Sequence, residues 1–290
     1  MRDGAAWPSL RASQAGWACV RIVIALLCVL APLAALAPLK KHYYMTVGAT
    51  MRWPFACISV LCILGAYAGY VRWIERRRVG ELGGNGAAVE LSAGLGIGAL
   101  LFTLCMTTLA GAGAYQISGR NEVAAMLATI PGFVTGAVFE ELVFRAILFR
   151  ILEEALGSWI ALFVSALVFG VMHFANPGSG LLGALVIAVE AGVMLGAAYM
   201  ATRRLWLCIG IHFAWNFSQG GIFSVAVSGD AQQGLFQSRL TGAEWLTGGQ
   251  FGAELSVVAA TLCTLAGILM LMHCVRTSRI VQPSWRRAAV

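Results

Sequence analysis

Charge is what this chain has least of. Only 11% of its 290 residues are Asp, Glu, Lys or Arg, whereas 59% are hydrophobic. A soluble domain carries about 25% charged residues. So few charges cannot cover a water-facing surface, and the bilayer is therefore the solvent for most of the chain. Lysine is nearly missing: arginine supplies 18 of the 20 basic residues, and Lys40 and Lys41 are the other two. Basic residues outnumber acidic ones 20 to 13, but they sit in short clusters between apolar runs. That distribution orients a membrane protein, and no nucleic-acid partner is expected. The eight cysteines include no C-x-x-C pair and lie in or beside apolar runs. They are expected to be small packing residues, which excludes a disulfide or zinc framework. The sequence also lacks H-E-x-x-H and any visible internal repeat.

A spanning helix takes roughly 20 apolar residues. Eight runs qualify, at about 17–39, 53–74, 89–113, 125–151, 157–175, 180–201, 205–227 and 251–273. The expected fold is an all-α polytopic membrane protein of about eight transmembrane helices. The first run ends in Ala35-Leu36-Ala37, like a signal peptide, but Pro38 follows and is a poor cleavage position, so a retained helix is expected. With eight spans, one side of the membrane collects 14 basic residues, including Arg2, Arg11, Arg21, Arg76, Arg77, Arg78, Arg150, Arg203 and Arg204. The other side collects 5: Lys40, Lys41, Arg52, Arg120 and Arg239. The positive-inside rule then places both termini in the cytoplasm, in a bacterial inner membrane. The expected division is helices one to three over 1–124, a core over 125–227, an outer loop over 228–250, and a last helix and tail over 251–290.

Ionisable groups inside a bilayer are expensive, and each needs an account. Residues 139–145 read Phe-Glu-Glu-Leu-Val-Phe-Arg. Neighbours on a helix point about 100° apart, whereas residues four apart share a face. Glu141 therefore faces Arg145, with the acid N-terminal, the better order for an ion pair. Glu140 points elsewhere and is left available. His173 closes the run Phe169-Gly-Val-Met-His, and His212 and Asn216 stand four apart on the seventh run. Three helices thus bring polar groups at i, i+4 spacing, and one shared site accounts for them better than three separate accidents. Glu190 is left over. It can be a protonated structural group, a second partner for Arg145, or part of a cavity wall.

These residues carry a resemblance. Glu-Glu-x-x-x-Arg at 140–145, Phe-x-x-x-His at 169–173 and His-x-x-x-Asn at 212–216 resemble, in order, the three motifs of the CAAX-protease and bacteriocin-processing (CPBP) family of intramembrane proteases. The stretch Leu195–His212 resembles that family's approach to its third motif, and the likeness covers roughly 130–217. The resemblance implies an endopeptidase, like the type II CAAX prenyl endopeptidases, that hydrolyses a peptide bond of a membrane-anchored protein or peptide. It implies an active site in a cavity between helices four, five and seven. Glu140 would activate water with His173, neutral His212 with Asn216 would stabilise the oxyanion, and Glu141 and Arg145 would support them. No metal is expected on this reading. The alternative is a zinc-dependent protease with Glu140, His173 and His212 as ligands. A non-catalytic scaffold or immunity protein of the same fold is the reading from outside enzymology.

Overall fold

The computed structural model describes residues 14–46 and 52–287; Arg2 and Arg11 of the charge count lie outside the described residues. The helices are α1 (Gln14–Thr46), α2 (Arg52–Gly69), α3 (Ala87–Gly111), α4 (Val123–Leu127), α5 (Ile130–Glu141), α6 (Arg150–Leu156), α7 (Ser158–Met172), α8 (Gly180–Ile187), α9 (Met194–Thr202), α10 (Trp206–Asn216), α11 (Glu244–Thr247), α12 (Val257–Arg276) and α13 (Ser284–Arg287). Strands β1 (Tyr115–Arg120) and β2 (Phe236–Leu240) form one two-stranded sheet.

Among the described residues six helical stretches are long and apolar enough to cross a membrane: Gly16–His42, Arg52–Ile74, Ala87–Gly111, Val123–Leu156, Gly180–Thr202 and Val257–Arg276. The chain is an all-α, multi-pass membrane protein. The fifth and seventh expected runs are helical too, but short. α7 has 15 residues, bounded by Gly157 at φ 80° and the turn that begins at His173. α10 has 11, and a six-residue π-helical turn, Phe217–Ile222, continues it.

Three features depart from the sequence expectation. The last helix starts at Val257 and not at 251, because the Ser256 side chain accepts the Ala259 N–H at 3.1 Å and caps it there. Residues 251–256 instead turn into the protein, with Phe251, Ala253 and Ser256 fully buried. Gly252 permits that turn at φ 113°, where a side chain would strike the Ala226 carbonyl. The outer loop 228–250 holds, besides the short helix α11, the unexpected strand β2. β2 pairs antiparallel with β1, with a register shift between Ile117 and Gly119.

The helices are interrupted by π-helical turns at Tyr70–Ile74, Leu142–Phe149, Ala188–Val193 and Phe217–Ile222. Such turns widen the helix by one residue and occur often at functional sites. Here one follows Glu141, one contains Glu190 and one follows Asn216.

α3 and α10 cross at backbone contact. A Cβ on Gly94 would run into the Leu207 carbonyl, one on Gly98 into the Ile211 carbonyl, and one on Gly210 would lie 2.6 Å from the Leu91 oxygen. Small residues allow this approach in a membrane, where dispersion and shape drive association. The crossing fixes the stretch that carries His212. Gly98→Val is expected to lower stability by at least about 2 kcal/mol through overpacking. Gly96→Ala, on the open face of the same helix with nothing within 4 Å, should be neutral. Thermal unfolding in detergent compares the two, and equal unfolding temperatures would contradict the packing account.

At one end of the bundle, arginines and glutamates join α1, α2 and α6. Glu75 meets Arg21 at 2.6 Å, Arg77 at 2.7 Å and Arg150 at 2.9 Å. Burial pushes the Glu75 carboxyl up, but Arg150 and Arg21 outweigh it and bring it down to about 2. Arg21, Arg77 and Arg150, expected on one side of the membrane, thus sit in one network. Arg120 and Arg239, expected on the other, lie on the two strands of the sheet.

Candidate active site

Glu140 and Glu141 end α5, and helical geometry separates them as their spacing predicts. Glu141 is fully buried, while the Glu140 side chain is 29% exposed. Arg145 donates through Nη1 to Glu141 Oε1 at 3.1 Å, so the expected ion pair forms. The other Nη2 donates to the Ala191 carbonyl at 3.1 Å, and the guanidinium carbon lies 4.7 Å from the centre of the Phe169 ring. Arg145 thereby ties α5 to α7 and to the π turn after α8.

A further bond was not visible from spacing. His212 Nδ1 lies 2.7 Å from Glu141 Oε1. A carboxylate held by arginine can only accept, so Nδ1 carries the proton. Its Nε2 points towards Glu140, 3.9 Å from Oε2. This alters one expectation. A neutral His212 spends its single N–H on Glu141 and has none left for an oxyanion. Donation through Nε2 requires the imidazolium, which Glu140 and Glu141 flank with opposite charge.

His173 caps the end of α7, and its Nδ1 donates to the Phe169 carbonyl at 2.8 Å. The carbonyl fixes the tautomer and leaves Nε2 as an acceptor. Glu140, His173, His212 and Asn216 line one cavity of about 50 Å³, room for a few waters. Three helical stretches supply them: α5, α7 and α10. Glu140 Oε2 is buried and has no hydrogen-bond partner among the described residues.

Two more carboxyl groups line the same cavity: Glu190, from the π turn after α8, and Glu254, from the short turn before α12. Glu190 thus lines the cavity, and the spare Arg145 donor goes to Ala191. Glu254 is the residue that sequence reasoning missed. Its signal was an acid inside the eighth apolar run, at 251–273, but that run gives no hint that 251–256 folds inward. Burial pushes the Glu254 carboxyl up to about 7, against the backbone N–H of Ser228 that it accepts. Glu140, Glu190, His212 and Cys263 are ionisable groups within its electrostatic reach.

A carboxyl raised in the folded state keeps a proton that the unfolded chain releases. Stability therefore falls as pH rises from about 4.5 to about 7 and is level above that. Glu254→Gln should remove this slope and gain about 3 kcal/mol over wild type at pH 8. Unfolding temperatures at pH 5 and pH 8 test this; parallel profiles for the two proteins would contradict it.

Nδ1 of both histidines is engaged by an oxygen, which leaves each Nε2 open, as it also is in a zinc-bound histidine. Among the described residues no three His, Cys, Asp or Glu side chains are grouped so that they could hold one ion.

Comparison with known proteins falls on this same segment. Residues 122–218 match the family model described as type II CAAX prenyl endopeptidase Rce1-like. The chain is also similar to "Putative membrane peptidase YdiL" of Bacillus subtilis (strain 168), 26% identical over 125 residues, which are 43% of this chain and 47% of that protein. The chain thus spans about half the length of the curated relative it matches. No solved structure matches it. The motif resemblance and the family match coincide over the helices that build the cavity: from 122 to 218 this chain is similar to the type II CAAX prenyl endopeptidase Rce1-like family model.

Proposed function

We propose that this protein is an intramembrane endopeptidase that hydrolyses a peptide bond of a membrane-anchored protein or peptide, without a metal. One observation carries the reading: the four motif residues, drawn from three helices, line one small cavity, and Glu140 keeps a carboxylate oxygen with no hydrogen-bond partner among the described residues. A water held between Glu140 and the Nε2 acceptor of His173 loses a proton to Glu140 as it attacks the scissile carbonyl. The oxyanion accepts hydrogen bonds from the His212 imidazolium and the Asn216 amide. Glu140 then returns the proton to the leaving amine. Glu141 holds the His212 ring and is itself neutralised by Arg145. The catalytic core is 125–227, and Glu254, from outside it, lines the same cavity. Both termini face the cytoplasm, as the arginine distribution requires.

The zinc and scaffold readings make different predictions. Purified protein, exhaustively chelated and shown by elemental analysis to hold less than stoichiometric metal, is expected to cleave membrane-anchored peptides in vesicles at the untreated rate. Loss of activity on chelation and its return with zinc would establish the metal enzyme. A folded wild type that cuts no peptide would favour the scaffold.

A further inference from the structure

Only one of the three carboxyl groups in the cavity wall has a task in the hydrolysis. The other two, Glu190 and Glu254, are 2% and 4% exposed. Glu190 Oε2 is buried and has no hydrogen-bond partner among the described residues. Among the described residues Glu254 is hydrogen-bonded by Ser228 alone, through its backbone N–H and its side chain.

The rest of the protein does not treat buried acids this way. Glu81 meets Arg77 at 2.9 Å, Glu141 meets Arg145 at 3.1 Å, and Glu153 meets Arg203. Where a glutamate is structural, an arginine satisfies it. Yet none of the described residues that line this cavity is a lysine or arginine. An unpaired acid in a membrane interior is costly and marks a functional position by default. The two come from separate parts of the chain, one on a π-helical turn and one on the inward fold of 251–256, and they meet only at this cavity.

We infer that Glu190 and Glu254 form a cation-accepting subsite beside the catalytic water, so that the enzyme prefers to cut next to a lysine of its membrane-anchored substrate. The inference rests on the protease reading above and adds a substrate class to it. The lysine ammonium is compact and presents three donors, enough for both carboxylates and one further acceptor. A guanidinium is larger and planar, a poorer match to a cavity that holds only a few waters. The cation supplied by the substrate would replace the arginine that the protein gives its structural acids. It would also add binding energy close to the scissile bond, where it orients the carbonyl against Glu140.

The test uses wild-type protein in vesicles and a library of peptides fused to one apolar anchoring helix. Positions flanking each candidate bond carry lysine, acetyl-lysine, norleucine or glutamate, and products are identified by mass spectrometry. Lysine within two residues of the cut is expected to be favoured over acetyl-lysine and norleucine by at least about tenfold in kcat/KM, with glutamate the poorest. In Glu190→Gln/Glu254→Gln the ratio of lysine to norleucine should collapse to about one, whatever the absolute rate. Glu254→Asp, which keeps the charge, should retain part of the preference. Wild-type cleavage with a lysine-to-norleucine ratio near one would overturn this inference and leave the protease reading intact. A preference that survives the double substitution would overturn the assignment to these two residues. No cleavage of any peptide would overturn the protease reading and the inference with it.

Discussion

Glu140→Gln should lower the cleavage rate by about 10²–10⁴, the range supplied by a positioned general base, while the protein stays folded. The two halves of that expectation have separate causes. The amide keeps the size of the carboxyl but cannot take a proton from water at neutral pH. Glu140 also contributes little to stability: its Oε2 has no hydrogen-bond partner among the described residues, and its contact with His212 Nε2 is long, at 3.9 Å. Rates on a membrane-anchored peptide in vesicles, with unfolding temperatures in detergent, measure both halves. A variant that keeps more than a tenth of the wild-type rate would remove Glu140 from the role of base.

The neighbouring glutamate should behave in the opposite way. Glu141→Ala strips Arg145 and His212 of their shared carboxylate in one step. Arg145, 2% exposed, is left as an uncompensated buried charge, and breaking such a pair costs about 3–5 kcal/mol. Activity should fall with stability, because His212 loses the bond that sets its tautomer and aim. Adding Arg145→Met to Glu141→Ala should restore much of the stability, since the orphaned charge is gone, without restoring activity. The double-mutant cycle reads the coupling directly. Equal unfolding temperatures for wild type and Glu141→Ala would show that the buried triad is not holding this part of the fold.

The adjacent glutamates illustrate what could be read from the sequence. Their 100° separation and the i, i+4 partnership of Glu141 with Arg145 follow from one helix, and the structure shows both. The bond from Glu141 to His212 joins residues 71 apart and depends on the α3–α10 crossing, which no local pattern encodes. The apolar runs were legible because charge is so scarce, and all eight contain helix. Their lengths were less so: glycines and turns cut α7 and α10 short inside sequence that stays apolar. The sheet was hidden because Tyr115–Arg120 and Phe236–Leu240 are short and distant in sequence. Hydropathy merged 251–256 with the last helix, and the Ser256 cap, a local signal, separates them. Glu254 was missed for that reason. The π turns beside Glu141, Glu190 and Asn216 have no composition signature at all.

These differences bear on chemistry as much as on architecture. The resemblance implied a neutral His212 as donor, but the Glu141 bond takes the only N–H of the neutral ring, so the function proposed above uses the charged form. The cavity, expected between three helices, gains a fourth wall from the Glu190 turn and a cover from the inward fold that carries Glu254.

The central claim is that water activated by Glu140 adds across a peptide bond in this cavity. It is tested most directly in solvent enriched in oxygen-18, with reconstituted, chelated protein and a membrane-anchored peptide. Wild type should release a product whose new carboxylate carries one solvent oxygen, and Glu140→Gln should release almost none over the same time. Equal labelled cleavage by both proteins, or none by a folded wild type on any anchored peptide, would contradict the account.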